Sequence, residues 1–252
     1  MSDLTQTTRL TVSEFLARTR PALRRDAYGA LWEADVPMEI RDLVAAVREA
    51  AGWKLGFEWS DRQGEYEARN LEIYGYSLSP QPLAVLQIRR TERHRYGTDV
   101  RKAYALVGVD EGEQVFSHPL PTSPRRMQDL ATATPQDVVA WAESKIFGVP
   151  VARLGDVIRQ GDVAIIPVRV IPGGAARLAE GQSLHEWTLA RSHTVVVDGA
   201  IWAHPDGLCA RGLVEIVHAR DQHHAVSYEG RCRIVVGSRG SDPWWIDAAL
   251  GD

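Results

Sequence analysis

Gln160-Gly161-Asp162-Val163-Ala164-Ile165-Ile166-Pro167-Val168-Arg169-Val170 opens the part of the chain whose pattern decides the fold. Val163 to Val170 is a short apolar run interrupted by Pro167, the pattern of a strand buried on both faces. Pro172-Gly173-Gly174 follows as a turn, Thr194 to Val197 leads to a turn at Asp198-Gly199, and Val214 to Val217 and Arg231 to Val236 are two further strands. Short strands at regular spacing with glycine and proline turns predict an all-β, barrel- or sandwich-like module over 151–252.

Working outward, Pro150 marks the boundary of this module. Ahead of it, Thr134-Pro135-Gln136-Asp137 is a helix start, with threonine at the cap, proline at the first position and an acid where it meets the helix dipole. Val138, Trp141, Ala142 and Ile146 line one face, and Gly148 stops the helix. From 67 to 109 the signal is of strands: Leu71, Ile73 and Tyr74, then Leu83 to Ile88 after the turn Pro80-Gln81-Pro82, then Ala103 to Val109. A strand from Gln114 to Phe116 ends at His118-Pro119, and Pro121 to Pro124 reads as a surface loop.

Nearer the N-terminus, Ile40, Leu43, Val44, Val47 and Ala51 recur at helical spacing before a stop at Gly52. Thr11-Val12-Ser13-Glu14 is a capping box for an earlier helix to about Arg18. Arg18, Arg20, Arg24 and Arg25 are expected on a solvated helix face. Trp53, Phe57 and Trp59, interleaved with Lys54 and Arg62, suit a base-stacking surface or, as expected here, the core under the next sheet. The predicted fold class is therefore α+β: an N-terminal domain over 1–150 of helices with a small antiparallel sheet, followed by the all-β module.

An apolar fraction of 44% and a charged fraction of 25% argue against disorder. A net charge of −4 gives no global attraction to a polyanion, so any nucleic-acid binding must be local. No apolar run is long enough to span a bilayer and no signal-peptide core opens the chain, so a cytoplasmic protein without membrane contact is expected. Two cysteines, Cys209 and Cys232, fit packed, reduced thiols. Arginine in place of almost all lysine, with abundant alanine, points to GC-rich coding and a bacterial source.

No zinc-finger spacing, P-loop, dinucleotide-binding glycine pattern or nucleophile elbow occurs. Histidine is what remains. Six of the eight histidines fall between Arg159 and Gly240. His193, His218 and His224 with Asp221 are the candidate ligands of a divalent transition metal such as zinc or iron. His193 and His224 are alternatively a candidate acid and base, with Arg191 or Arg220 holding a phosphate. A third feature is the basic run from Arg89 to Lys102, read as a hairpin tip. Arg90, Arg93, Arg95 and Arg101 are its candidate nucleic-acid contacts, because guanidinium forks match phosphate oxygens.

The stretch Arg159 to Gly240 resembles a family of uncharacterised bacterial and phage proteins whose pattern runs Q-G-D-V, then G-H-x-H, then H-x-E-H-A-P. Gln160-Gly161-Asp162-Val163, His193-Thr194 and His224-Ala225 carry the likeness. Arg191 stands at the first histidine of the second motif. Asp221, His223 and Val226 stand at the first histidine, the glutamate and the proline of the third. The family has no established activity, so the resemblance implies a β module with a site, not a reaction.

Two functional expectations follow. The first is a cytoplasmic bacterial binding or accessory protein, of the kind found among phage- or conflict-related genes, with an unknown protein partner and with nucleic acid as a candidate partner through 89–102. The second is a histidine-centred hydrolase of RNA or a nucleotide. Trp244-Trp245 is expected to cap the module or to seal a dimer.

Overall fold

The computed structural model describes residues 23–50, 58–60, 65–79, 81–94, 96–109, 115–160, 163–179, 184–189, 193–205, 207–218 and 224–237. The helix expected over 11–18, Trp53, Phe57 and Trp244-Trp245 lie outside the described residues. Among the described residues two α-helices, α1 (Met38–Ala50) and α2 (Pro135–Phe147), accompany two antiparallel sheets. The first sheet runs in the order β1 (Glu58–Ser60), β2 (Glu65–Ser77), β3 (Leu83–His94), β4 (Gly97–Val109) and β5 (Val115–Pro119). The second contains β6 (Ile158–Gln160), β7 (Val163–Pro167), β8 (Ala176–Ala179), β9 (Leu184–Leu189), β10 (His193–His204), β11 (Gly207–His218) and β12 (Val226–Val236). Its order is β6-β7-β12-β11-β10-β8, with β9 also paired to β10. The class is mixed α+β. The edge strands of the second sheet do not pair with each other among the described residues, so it is not a closed barrel.

Strand β3 is apolar at every position from Leu83 to Leu86 because helices cover both faces of its sheet. Ala84, Leu86 and Ile88 pack with Ile40, Leu43, Val44 and Val47 of α1. Leu83 and Val85 pack with Val138, Ala142 and Ile146 of α2. The sequence signals at α2 are all realised. Thr134 and Asp137 form a reciprocal capping box, and Gly148 ends the helix in a left-handed conformation at φ 62°. Ala164 and Ile166 of β7 and Val235 of β12 join the α2 cluster, so one continuous apolar core crosses the expected boundary at residue 150.

The run from 89 to 102 forms the expected hairpin, most of it ladder rather than tip: Arg89 pairs with Lys102 and Arg90 with Arg101, and the ladder continues to His94 opposite Gly97. Two expectations need correcting. Asp198-Gly199 is not a turn but the middle of the twelve-residue β10, where both residues pair with Leu213 and Gly212 of β11. Arg24 and Arg25 lie in no helix. Arg24 forms a two-pronged ion pair with Asp35, and Arg25 donates to the carbonyls of Gly29, Tyr74 and Ala133.

Gly199, Gly212 and Gly230 are register partners on three adjacent strands. All three hold positive φ, 147°, 136° and 145°, which side chains of the L series rarely adopt. A Cβ at Gly199 would fall 2.1 Å from the carbonyl oxygen of Arg211, and one at Gly212 would fall 2.1 Å from that of Asp198. Along this glycine row the sheet folds over on itself. Val195, Val197, Val214 and Ile216 on one side of the row share a buried cluster with Val163, Ile165, Ile201, Ala210, Cys232 and Ile234 on the other. Cys209 and Cys232 are free and buried. Cys209 pairs with Arg233 and Cys232 with Ala210, so the two thiols occupy opposite faces of the sheet and cannot be bridged.

Substituting Gly212→Ala is expected to lower stability by about 3 kcal/mol or prevent folding, from a strained φ and a backbone clash together. Gly173→Ala, with open space around the added methyl, should be neutral within ~0.5 kcal/mol. Urea midpoints of the two variants against the parent check this.

Candidate functional site

The folded sheet brings the quoted motifs to one end of the module. His193 opens β10, His218 closes β11, and the two are register partners. Their rings meet edge to face with centroids 4.8 Å apart and planes at 80°. Each is only 1% exposed. This is the geometry that aromatic pairs prefer, and it makes the imidazoles the last layer of the apolar interior beyond Val195 and Ile216. Gln160, 3% exposed, donates its side-chain amide to the carbonyl of His224 at 2.6 Å. Gln160 of the first motif thereby ties β6 to the segment that starts β12.

The candidate ligand set divides accordingly. His193 and His218 are together, whereas the His224 side chain is exposed to solvent. Arg191, Arg220, Asp221 and His223 lie outside the described residues. Among the described residues no three His, Cys, Asp or Glu side chains come together as a metal-binding group. His204 closes β10 at the end opposite His193. The histidine richness of 159–240 is thus spread along strands and only partly gathered into a site.

Sequence reasoning placed His118 only as a strand end. It packs between Phe116, with ring centroids 5.1 Å apart, and Phe147, at 6.5 Å. Burial and the neighbouring positive charge of Arg159 push its pKa down to about 4. Arg159 itself is paired with Glu143 of α2 and lies over the Phe147 ring.

The basic hairpin has a more definite geometry than a tip. The first six residues of β4, Gly97 to Lys102, are exposed, while Ala105 to Gly108 are buried. Strands β2 to β4 run on together as a blade whose outer strand, β4, is exposed, with β1 joining them at its end. Register sorts its charges into rows. Arg69, Arg90 and Arg101 are partners across three strands, and Glu67, Glu92 and Asp99 form the row two residues further out. The candidates Arg90 and Arg101 thus stand one row from Asp99 and its register partners. The side chains of Glu67, Arg69, Glu92, Arg93 and Arg95 lie outside the described set.

Alternation puts Arg89 and Lys102 on the other face, with Asn70 as the third member of their row. Toward the core, the next row on that face is Glu72, Gln87 and Tyr104. Glu72 accepts hydrogen bonds from Gln87 at 2.6 Å and from the Tyr74 hydroxyl at 3.2 Å. Arg125 donates to the Tyr74 hydroxyl at 2.7 Å and reaches Glu72 at 3.4 Å, with its guanidinium 4.7 Å over the Tyr28 ring. Burial pushes the Tyr74 hydroxyl up to about 12, so it remains a neutral donor. No sequence signal marked this cluster, because Arg125 follows what reads as an ordinary proline loop and Tyr28 is nearly fifty residues from its neighbours on β2.

Comparison with protein-family models, curated proteins and solved structures finds no match to this chain.

The His118 shift sets a pH dependence. Because its folded pKa lies below the ordinary 6.5, the folded state binds fewer protons, and stability is full above about pH 6.5 and falls as pH drops toward 4. The loss attributable to this residue is up to about 3 kcal/mol. In His118→Leu, the difference in unfolding free energy between pH 7 and pH 4 should shrink by that amount, measured by denaturant titration at both pH values.

Proposed function

We propose that the chain is a cytoplasmic binding or accessory protein that meets its partner through the blade formed by β1 to β4. The supporting observation is the exposure of Gly97 to Lys102 in a ladder that remains fully paired. Ordering each residue costs roughly 1–2 kcal/mol of conformational entropy, and the exposed half of β4 buries little apolar surface to offset it. An element of that kind gains its value from contact with another molecule. No helix among the described residues is long and apolar enough to cross a membrane.

The burial of His193 and His218 weighs against a substrate reaching either ring directly. The histidine-centred hydrolase stands as the second reading on one observation, the convergence of those two rings at the strand ends that lead to Arg191 and Asp221. That reading requires a stoichiometric transition metal, or RNA cleavage in chelator that His193→Ala abolishes.

Ile88 and Ala103 are register partners in the same phase of the ladder as His94 and Gly97, so joining them by Asn-Gly in place of residues 89–102 closes a two-residue hairpin and removes Arg89 and Lys102. This shortened protein should melt within a few degrees of the parent and lose the partner recovered by affinity capture from the native cell. Capture of the same partner by both proteins, or metal-dependent hydrolysis that survives the shortening, would reject the proposal.

A further inference from the structure

The two faces of the blade differ in charge, and the difference selects a partner. Over 65–70 and 89–102 the sequence carries seven Lys or Arg against four acids, in a chain of net charge −4. Three of those acids, Glu67, Glu92 and Asp99, are register partners in one row, two residues outward from the row of Arg69, Arg90 and Arg101. On the opposite face Arg89 and Lys102 stand directly across from one another. Like charges in register destabilise a strand pair unless a counter-charge joins them. The nearest acid on that face, Glu72, is already engaged by Gln87, Tyr74 and Arg125. Neither Arg89 nor Lys102 forms an ion pair among the described residues, and Lys102 is exposed.

The same face carries aromatic rings beside its cations. Tyr104 is two residues along β4 from Lys102, and Tyr28, 63% exposed, stacks on Arg125. Cations that match phosphates next to rings that match bases are the combination that binds unpaired nucleotides. A duplex fits less well. At its end the blade is four strands across, since Trp59, Tyr66, Arg93 and Thr98 are successive register partners. Four strands span about 14 Å between the outer backbones, whereas the major groove is about 12 Å wide and admits a two-stranded ribbon.

We propose that this face of the blade binds single-stranded nucleic acid, with Arg89 and Lys102 on its phosphates and a base stacked on Tyr28. The proposal rests on reading the blade as the partner-binding element and supplies the chemical class of the partner. It moves the contacts from Arg90 and Arg101 to the face behind them.

Fluorescence anisotropy with labelled dT12, U12 and a 12-base-pair duplex tests it on the full chain. Both single strands should bind at low salt more tightly than the duplex, and any preference between them identifies DNA or RNA. Replacing Arg89 and Lys102 together by Ala should weaken binding at least tenfold. It should also flatten the slope of log K against log salt by about 1.4, two phosphates' worth on a single strand. Tyr28→Ala should weaken binding about tenfold and Tyr28→Trp should restore it, while Arg90→Ala with Arg101→Ala should change it less than threefold. Tyr28, Arg101 and Lys102 are exposed and Arg89 and Arg90 are half-buried, so each variant's melting temperature is measured against the parent, and a shift of only a few degrees is expected. No binding of either strand at low salt, tighter binding of the duplex, or undiminished binding by the Arg89 and Lys102 variant would overturn the inference. The capture experiment with the shortened blade still decides whether the blade engages some other partner.

Discussion

The second half of the structure depends on the absence of side chains at three places. Gly199, Gly212 and Gly230 align across β10, β11 and β12, and at Gly199 and Gly212 a single methyl group would collide with the neighbouring strand's carbonyl. Long antiparallel strands twist but do not fold sharply unless bulges or glycines permit it. Here the row of glycines turns an open sheet back on itself, so that one sheet supplies both walls of its own core. The inward residues Ile201, Ala210, Val195, Val197, Val214 and Ile216 on either side of the row are buried as a consequence.

That fold-over also explains what happens to the histidines. Without it His193 and His218 would be two polar residues at the open end of a flat sheet, available to solvent and metal. With it they become the closing layer of a covered interior, and Gln160 bridges from the far edge of the sheet to the backbone of His224. The motif residues do converge, but what converges among the described residues is a packed imidazole pair and a side-chain latch.

Legibility followed periodicity. The helix at Pro135–Phe147 was readable to the residue because capping box, apolar face and terminal glycine are all local. The α+β class and the antiparallel strands followed from alternation and turn residues in the same way. Asp198-Gly199 was misread because glycine after aspartate signals a turn in sequence, while the same permissive φ serves equally well to bend a continuing strand. The charge rows of the blade could not be read from Arg89 to Lys102 alone, since they depend on the register with β2, some twenty residues earlier. The Tyr28, Tyr74 and Arg125 cluster joins three segments with no shared pattern, and only the fold assembles it.

The central claim, that the glycine row folds the second sheet onto itself, is open to one direct measurement. Arg159 lies beside Gln160, and β12 runs from near His224 to Val236, whose partner Val163 is in turn the partner of Gln160. A straight β12 would hold residues 224 and 159 about 40 Å apart, at about 3.3 Å per residue, whereas the folded sheet brings them within about 20 Å, label arms included. Spin labels on Arg159→Cys and His224→Cys, with the buried native thiols left unlabelled, report this distance by pulsed electron resonance. A narrow distribution at the short distance is predicted; a distribution centred near 40 Å would contradict the fold.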